Sequence, residues 1–74
     1  METRQGYVER ITYRNEENGY TVLTLTQDDG EELCLVGLFP SVSEGEYISA
    51  EGEMTVHPAY GPQLKVTKYE FIAP

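Results

Sequence analysis

Two stretches of the sequence, residues 13–20 and 57–65, contain the aromatic and cationic side chains with the clearest binding chemistry. Tyrosine and histidine supply flat rings that stack on nucleobases, whereas arginine and lysine attract phosphates. Together they are typical of a surface that contacts single-stranded nucleic acid without reading its sequence. The candidate residues are Tyr13, Arg14, Tyr20, His57, Tyr60 and Lys65.

A purely structural interpretation of the same residues stays open. Tyrosines on small barrels often cap the core, and Tyr60, between Pro58 and Pro62, would then only pin its loop. Arg14 and Lys65 equally fit solvated surface charges. The residue types therefore define a candidate surface without deciding between stacking on a ligand and packing within the domain.

The signatures of an enzyme or a metal site are absent from the sequence. It has no GxxxxGK[ST] or GxGxxG phosphate loop, and its single histidine, His57, excludes a two-histidine metal site. Three serines and one loop histidine do not assemble a catalytic triad, and the tight turn at Asp28-Asp29 cannot wrap a calcium ion. We therefore predict no catalytic residue, no metal site and no cofactor in this domain.

The charge pattern limits how tightly such a surface can hold a phosphate backbone. The formal net charge is −8, from thirteen acidic and five basic residues. No Lys or Arg occurs between residues 15 and 64, where ten of the thirteen acids fall. Because nucleic-acid affinity is largely electrostatic, we expect at most a weak, salt-sensitive contact near the candidate residues.

Residues 18–39 form the stretch around which the chain is organised. Two runs of apolar and β-branched residues flank Asp28-Asp29-Gly30, which predicts a β-hairpin because Asp-Gly supplies the positive φ of a tight turn. The first run alternates, with Leu23 and Leu25 on one face and Tyr20, Val22 and Thr24 on the other. The second run, residues 33–39, is nearly continuous in apolar residues, which predicts a strand covered on both faces.

Three further strands are predicted around this hairpin, at residues 5–13, 47–56 and 63–72. The adjacent Tyr7 and Val8 suggest a bulge or a strong bend near Gly6, and Gly52 marks a bend where a barrel could close. Residues 40–46 are too short and too rich in Pro and Gly for more than one helical turn. This pattern predicts an all-β, five-stranded OB-fold-like barrel with minimal or no helix between strands 3 and 4, with an SH3-like barrel as the alternative.

The remaining sequence features concern location and the single cysteine. Cys34 lies in the most apolar run, so we expect a small buried hydrophobe. No signal peptide precedes the first strand and no segment is long enough to span a membrane. We therefore expect a cytoplasmic protein that does not contact a membrane.

Several motifs, taken in order, resemble one family of helicases. They are GYVERITY at 6–13, NGYTV at 18–22, VG at 36–37, FP at 39–40, GE at 45–46, EGE at 51–53 and HPAYGPQLKV at 57–66. Over nearly the whole chain they resemble the N-terminal OB-type domain of RecD-like, YrrC-type ATP-dependent DNA helicases, which are often described as exodeoxyribonuclease V alpha-like. Leu64, where phenylalanine is more usual, and Cys34 depart from that pattern.

The resemblance carries expectations beyond the domain itself. It implies that residues 1–74 are a single domain at the N-terminus of a larger helicase, which moves 5′ to 3′ on single-stranded DNA. ATP and magnesium would serve the motor domains of that parent, and DNA repair or recombination would be its setting. Two hypotheses follow: an accessory domain with a weak single-stranded DNA contact, or a protein-interaction module that docks on the helicase core or on a repair or replication partner.

Overall fold

The computed structural model describes residues 1–39 and 41–72. Within them the chain forms five β-strands and no helix, so no helix that could cross a membrane occurs in this part of the chain. The strands are β1 (Glu2–Arg14), β2 (Tyr20–Gln27), β3 (Glu32–Leu38), β4 (Tyr47–His57) and β5 (Gly61–Phe71).

The five strands close into a barrel in the order β1-β2-β3-β5-β4. All neighbours are antiparallel except β3 and β5, which run parallel through three residue pairs. Closure depends on the long β1, because its N-terminal half pairs with β4 and its C-terminal half with β2. The prediction of an all-β, five-stranded barrel consistent with an OB-fold, with no helix in the described part of the β3–β4 connection, is confirmed.

The barrel interior is filled by aliphatic side chains and one phenylalanine. On β2 the alternation predicted from the sequence is confirmed, since Leu23 and Leu25 are fully buried and Tyr20 faces outward. Burial of one such side chain contributes roughly 1.5–3 kcal/mol. The buried core comprises Val8, Leu23, Leu25, Leu35, Phe39, Val42, Ile48, Ala50 and Leu64.

The irregularity predicted near Gly6 lies further along β1, since the pairing with β2 shifts between Val8 and Arg10 and not at Gly6. Tyr7 and Val8 simply point to opposite faces, and the irregularities come later, where Glu9 and Thr12 are extra residues opposite β2. Gly6 is instead a site of close approach, because a Cβ there would lie 2.1 Å from the Thr26 carbonyl oxygen. Each bulge reverses the side-chain alternation of the residues that follow it.

The predicted bend at Gly52 is confirmed. The pairing of β4 with β5 shifts between Glu51 and Gly52, and a Cβ on Gly52 would lie 2.0 Å from the Lys65 carbonyl oxygen. After this shift Tyr69 turns toward the core and its ring lies 4.7 Å from that of Phe39. A glycine therefore permits the close strand approach that closes the barrel.

One end of the barrel is plugged by the chain between β3 and β4. Strand β3 ends at Leu38, one residue before the predicted strand end at Phe39. Phe39 and Val42 therefore lie in the loop after β3, yet both are fully buried. Pro40, Ala73 and Pro74, which belong to the predicted loop and the predicted chain end, lie outside the described residues. The core thus includes a loop residue that strand periodicity does not predict.

Candidate nucleic-acid interface

An open groove of about 720 Å³ crosses the outer face of β2, β3 and β5. Its floor is built from strand residues and its walls from the β1–β2 and β4–β5 loops. This volume falls in the range of small-ligand sites, roughly 300–1,000 Å³. The lining residues are Thr12, Tyr13, Tyr20, Val22, Thr24, Cys34, Val36, His57, Tyr60 and Gln63.

Strand pairing arranges the groove floor in two rows. In the first row Tyr13 faces Val22, Val22 faces Val36, and Val36 faces Lys65. In the second row Thr24 faces Cys34, and Cys34 faces Gln63. Directly paired residues point to the same side of a sheet, so an apolar row lies beside a polar one.

This floor corrects the prediction that β3 is covered on both faces. Leu38 is 61% exposed, and Cys34 is partly exposed rather than buried in the core. Burial still raises the pKa of the Cys34 thiol, and a hydrogen bond from Gln63 opposes that rise. The outer face of β3 is therefore covered at Val36, which is 8% exposed, and partly open at Cys34 and Leu38.

The first wall is formed by two tyrosines at the β1–β2 connection. Tyr13 is 51% exposed and Tyr20 is 39% exposed, with ring centroids 6.5 Å apart. Tyr20 is held by its backbone, because its N–H donates to Asn18 Oδ1 (2.9 Å) and its carbonyl accepts from the Asn15 N–H (2.8 Å). Gly19, at φ +78°, completes the turn. The Asn-Gly loop thus fixes one aromatic wall.

The opposite wall is the β4–β5 loop. His57 Nδ1 accepts hydrogen bonds from the backbone N–H groups of Ala59 (3.0 Å) and Tyr60 (3.2 Å). The imidazole also lies against the Tyr60 ring, with centroids 4.7 Å apart. Tyr60 is 76% exposed. The histidine therefore shapes the loop that presents this tyrosine to the groove.

Arg14 does not line the groove. Its Nη2 donates to the backbone carbonyls of Phe39 (3.3 Å) and Val42, and its Nε donates weakly to Thr21 Oγ1 (3.4 Å). The second bulge of β1 explains this position, because it directs Tyr13 outward beside Val22 and Arg14 to the side of buried Thr21. Arg14 thus anchors the loop that plugs the barrel, and a nucleic-acid contact by this residue stays a prediction.

Lys65 is exposed and lies on the outer face beside the groove, at the end of the apolar row. Its other neighbour is Glu53, which faces it from β4. Five of the six candidate residues thus lie in or beside one groove: Tyr13, Tyr20, His57, Tyr60 and Lys65.

Sequence reasoning missed the floor of this site. Val22, Thr24, Val36 and Gln63 line it. Val22, Val36 and Gln63 fall within the family motifs, but they were not named as candidate site residues. The available signal was the outward row of β2, where Tyr20, Val22 and Thr24 are less polar than a fully solvated strand face. Gln63 carried no such signal, because its place opposite Cys34 depends on the parallel pairing of β3 with β5.

The β2–β3 hairpin ends in an acidic turn. Here Tyr47 donates its hydroxyl to Asp28 Oδ1 (2.7 Å), and Gln5 Nε2 donates to the Tyr47 oxygen (3.2 Å). The hydrogen bond to Asp28 raises the pKa of the Tyr47 phenol above its ordinary value. Tyr20 lies at the other end of β2, about 23 Å along the strand from Gln27, which precedes the acidic turn. Among the described residues no cluster of three potential metal ligands occurs.

A closed five-stranded barrel with a groove across strands 2, 3 and 5, walled by the loops after strands 1 and 4, is the architecture of an OB-type binding domain. Such domains generally bind oligonucleotides or oligosaccharides on this face.

The family model for the OB-fold domain of the ATP-dependent DNA helicase YrrC matches residues 1–74, and the chain belongs to this family. No solved structure gives a significant match.

Proposed function

We propose that this chain is a non-catalytic accessory domain of a RecD-like 5′–3′ ATP-dependent DNA helicase, and that its groove makes a weak contact with single-stranded DNA. Membership of the YrrC OB-fold family supports the helicase context. The observation that carries the DNA contact is a groove whose walls are exposed tyrosines and whose floor is largely apolar.

Aromatic stacking sets the expected strength of this contact. Stacking of a base on an aromatic side chain contributes roughly 1–3 kcal/mol. Tyr13 and Tyr20 form one wall and Tyr60 the other, so the groove offers a stacking partner on each side. Loss of one such stack, at about 2 kcal/mol, corresponds to about a 30-fold weakening of binding.

Electrostatics adds little to this affinity. Two exposed cations flank the floor: Lys65 at the end of the apolar row, and Arg10, which pairs with Thr24 of the polar row. Glu53 faces Lys65 across the strand pair. For single strands the logarithm of the affinity falls with the logarithm of salt concentration with a slope of about −0.7 for each neutralised phosphate. We therefore expect a slope between about −0.7 and −1.4, for one or two phosphate contacts, and a contact that depends mainly on stacking.

A fluorescence anisotropy titration with a labelled oligodeoxythymidine at low salt tests this function. We expect saturable binding that weakens about tenfold or more in Tyr60→Ala. Tyr7→Ala is the matched control, because Tyr7 is 49% exposed on the outer face of the barrel but does not line the groove. No response at protein concentrations up to millimolar excludes the DNA contact.

A second variant pair tests the phosphate contact. Lys65→Ala should weaken binding and flatten the salt dependence, whereas Lys68→Ala should do neither. Lys68 is also a surface cation: its side chain is 75% exposed, and its Nζ lies 3.6 Å from Glu51 Oε1. Equal losses in both variants would show a general charge effect with no phosphate contact at Lys65.

The protein-interaction hypothesis remains as a second candidate because the acidic turn is exposed. Asp28, Asp29, Glu31 and Glu32 are solvent-accessible at the tip of the hairpin. The sheet edges that this hypothesis also invoked are not available, since each described strand pairs with two neighbours. The partner we propose is the motor part of the same helicase. Charge reversal at Glu31 and Glu32 should then reduce capture of the motor domains and leave DNA binding at physiological salt nearly unchanged.

We further propose that residues 1–74 are the N-terminal domain of that longer chain, whose motor domains bind ATP and magnesium. The family description supports this proposal, and so does the lack of a phosphate loop in the sequence. The coding sequence downstream of Pro74 tests it. A GxxxxGK[ST] loop followed by helicase motifs is expected, and a stop codon directly after Pro74 would contradict it.

A further inference from the structure

One largely buried polar side chain of the groove, Gln63, has a single weak hydrogen-bond partner among the described residues. The described chain buries two polar residues, Thr21 and Gln63. Thr21 is satisfied, because its hydroxyl donates to the Gly19 carbonyl oxygen (3.0 Å) and accepts from Arg14. Gln63 is only 7% exposed and lies in the floor of the groove.

The side-chain amide of Gln63 makes a single, weak contact with the described residues. Its Nε2 donates to Cys34 Sγ at 3.6 Å, and sulfur is a poor acceptor. Oε1 accepts no hydrogen bond from the described chain, yet no polar side-chain atom in that part of the structure is both enclosed and unpaired. The oxygen is therefore not fully enclosed, and the groove is the open space that Gln63 lines.

The geometry of the floor places this amide beside the stacking surface. Gln63 belongs to the polar row with Cys34 and Thr24, whereas Val22 and Val36 form the apolar row. The rows are two residues apart along each strand, about 6.6 Å. This distance is comparable with the width of a nucleobase, so a base lying over the apolar row presents its edge to the polar row.

We propose that Gln63 is a base-edge contact of the groove, which takes unpaired nucleobases through their Watson–Crick edge as well as through their faces. This inference rests on the proposed single-stranded DNA contact and names the chemistry that the groove recognises. The amide supplies an acceptor at Oε1 and donors at Nε2, a combination that pairs with base edges bearing both kinds of group. A duplex is excluded because its Watson–Crick edges are already paired.

Methylation of the base edge tests this inference, because it removes the edge donor and leaves the stacking face. Oligodeoxyuridine and oligo-3-methyldeoxyuridine of equal length are titrated into the ¹⁵N-labelled domain at low salt, with amide shifts as the readout. We expect the unmodified oligomer to bind about tenfold more tightly, within the range of a good base-edge contact. Gln63→Met, nearly equal in size, should remove this difference while stacking on Tyr60 persists.

Thr55→Val is the matched control, since Thr55 faces Gln63 from β4 but does not line the groove. Its preference for the unmodified oligomer should equal that of the wild type. Equal affinity of the wild type for both oligomers overturns the base-edge contact but leaves a stacking groove. Binding of neither oligomer removes the proposed DNA contact itself, and the inference with it. If the folded Gln63→Met variant prefers the unmodified oligomer as strongly as the wild type does, another residue makes the edge contact. That result contradicts the role of Gln63.

Discussion

Two tyrosine pairs lie on the outer surface of this barrel, and their surroundings differ. Tyr13 and Tyr20 stand over an apolar floor with ring centroids 6.5 Å apart. Tyr7 and Tyr47 are closer, at 4.8 Å, but the Tyr47 hydroxyl is bound to Asp28 beside the acidic turn. We call these two regions the groove and the acidic end.

The difference shows that exposed aromatic rings alone do not identify a nucleic-acid site. At the acidic end, negative charge repels a phosphate backbone and the Tyr47 hydroxyl already has a partner. In the groove no carboxylate is among the lining residues. The composition of the floor beneath the rings therefore distinguishes a stacking surface from a structural aromatic contact.

The largest effect is expected at Gly52, because both regions depend on the closed barrel. A Cβ in Gly52→Ala would lie 2.0 Å from the Lys65 carbonyl oxygen, so the backbones of β4 and β5 must separate. We expect a loss of about 3 kcal/mol or more in the free energy of unfolding. Chemical denaturation measures this free energy of unfolding. The control is Gly30→Ala, where the added Cβ meets no atom within 4 Å and only the φ of +88° is unfavourable; equal losses would contradict the close-approach explanation.

Arg14→Met separates structural from binding roles near the groove. Removal of the guanidinium leaves the Phe39 and Val42 carbonyls without this donor, and we expect a loss of about 2 kcal/mol in stability. DNA affinity of the folded variant should not change. Arg10→Met, at an exposed position opposite Thr24, is the stability control. Reduced DNA binding with unchanged stability would instead make Arg14 a phosphate contact.

Charge reversal at the acidic end tests whether the two regions act independently. Glu32 is about 13 Å along β3 from Val36, which pairs with Lys65 of the proposed phosphate contact. This distance exceeds the Debye length of about 8 Å at physiological salt. The double variant Glu31→Lys, Glu32→Lys should therefore change DNA affinity by less than about twofold at that salt, and by more at low salt. A large salt-independent gain would show that the DNA path crosses the acidic turn.

The smallest effect is the pH dependence contributed by Tyr47. Its phenol has a raised pKa because it donates a hydrogen bond to Asp28. The protonated form is thus favoured in the folded state, so its stabilising contribution is present below the unfolded pKa near 10 and is lost as the pH rises through the higher folded pKa. Tyr47→Phe should reduce the fall in stability above pH 10. Identical alkaline profiles for wild type and Tyr47→Phe would contradict this account.

The sequence predicted the strands because their signals are local. The alternation of Leu23 and Leu25, the turn at Asp28-Asp29-Gly30 and the bend at Gly52 each depend on neighbouring residues, and the structure confirms all three. The five-stranded barrel could also be predicted, because five strands in a chain of this size leave exposed sheet edges unless the sheet closes on itself.

The groove could be predicted only in part, because it depends on non-local pairing. Two bulges in β1 decide that Tyr13 faces the groove and Arg14 the plugged end, and neither Glu9 nor Thr12 signals an extra residue in the sequence. Gln63 reaches the floor only through the parallel pairing of β5 with β3. Burial of the loop residue Val42 likewise reflects the space left by the closed barrel.

The central claim is that the groove, and not the acidic end, receives single-stranded DNA. Titration of the ¹⁵N-labelled domain with a short oligodeoxythymidine at low salt tests it most directly. We predict that the amide shifts concentrate at Val22, Val36, Tyr60 and Gln63 and leave residues 28–32 unchanged. Shifts centred on residues 28–32, or none at millimolar oligonucleotide, would contradict the account.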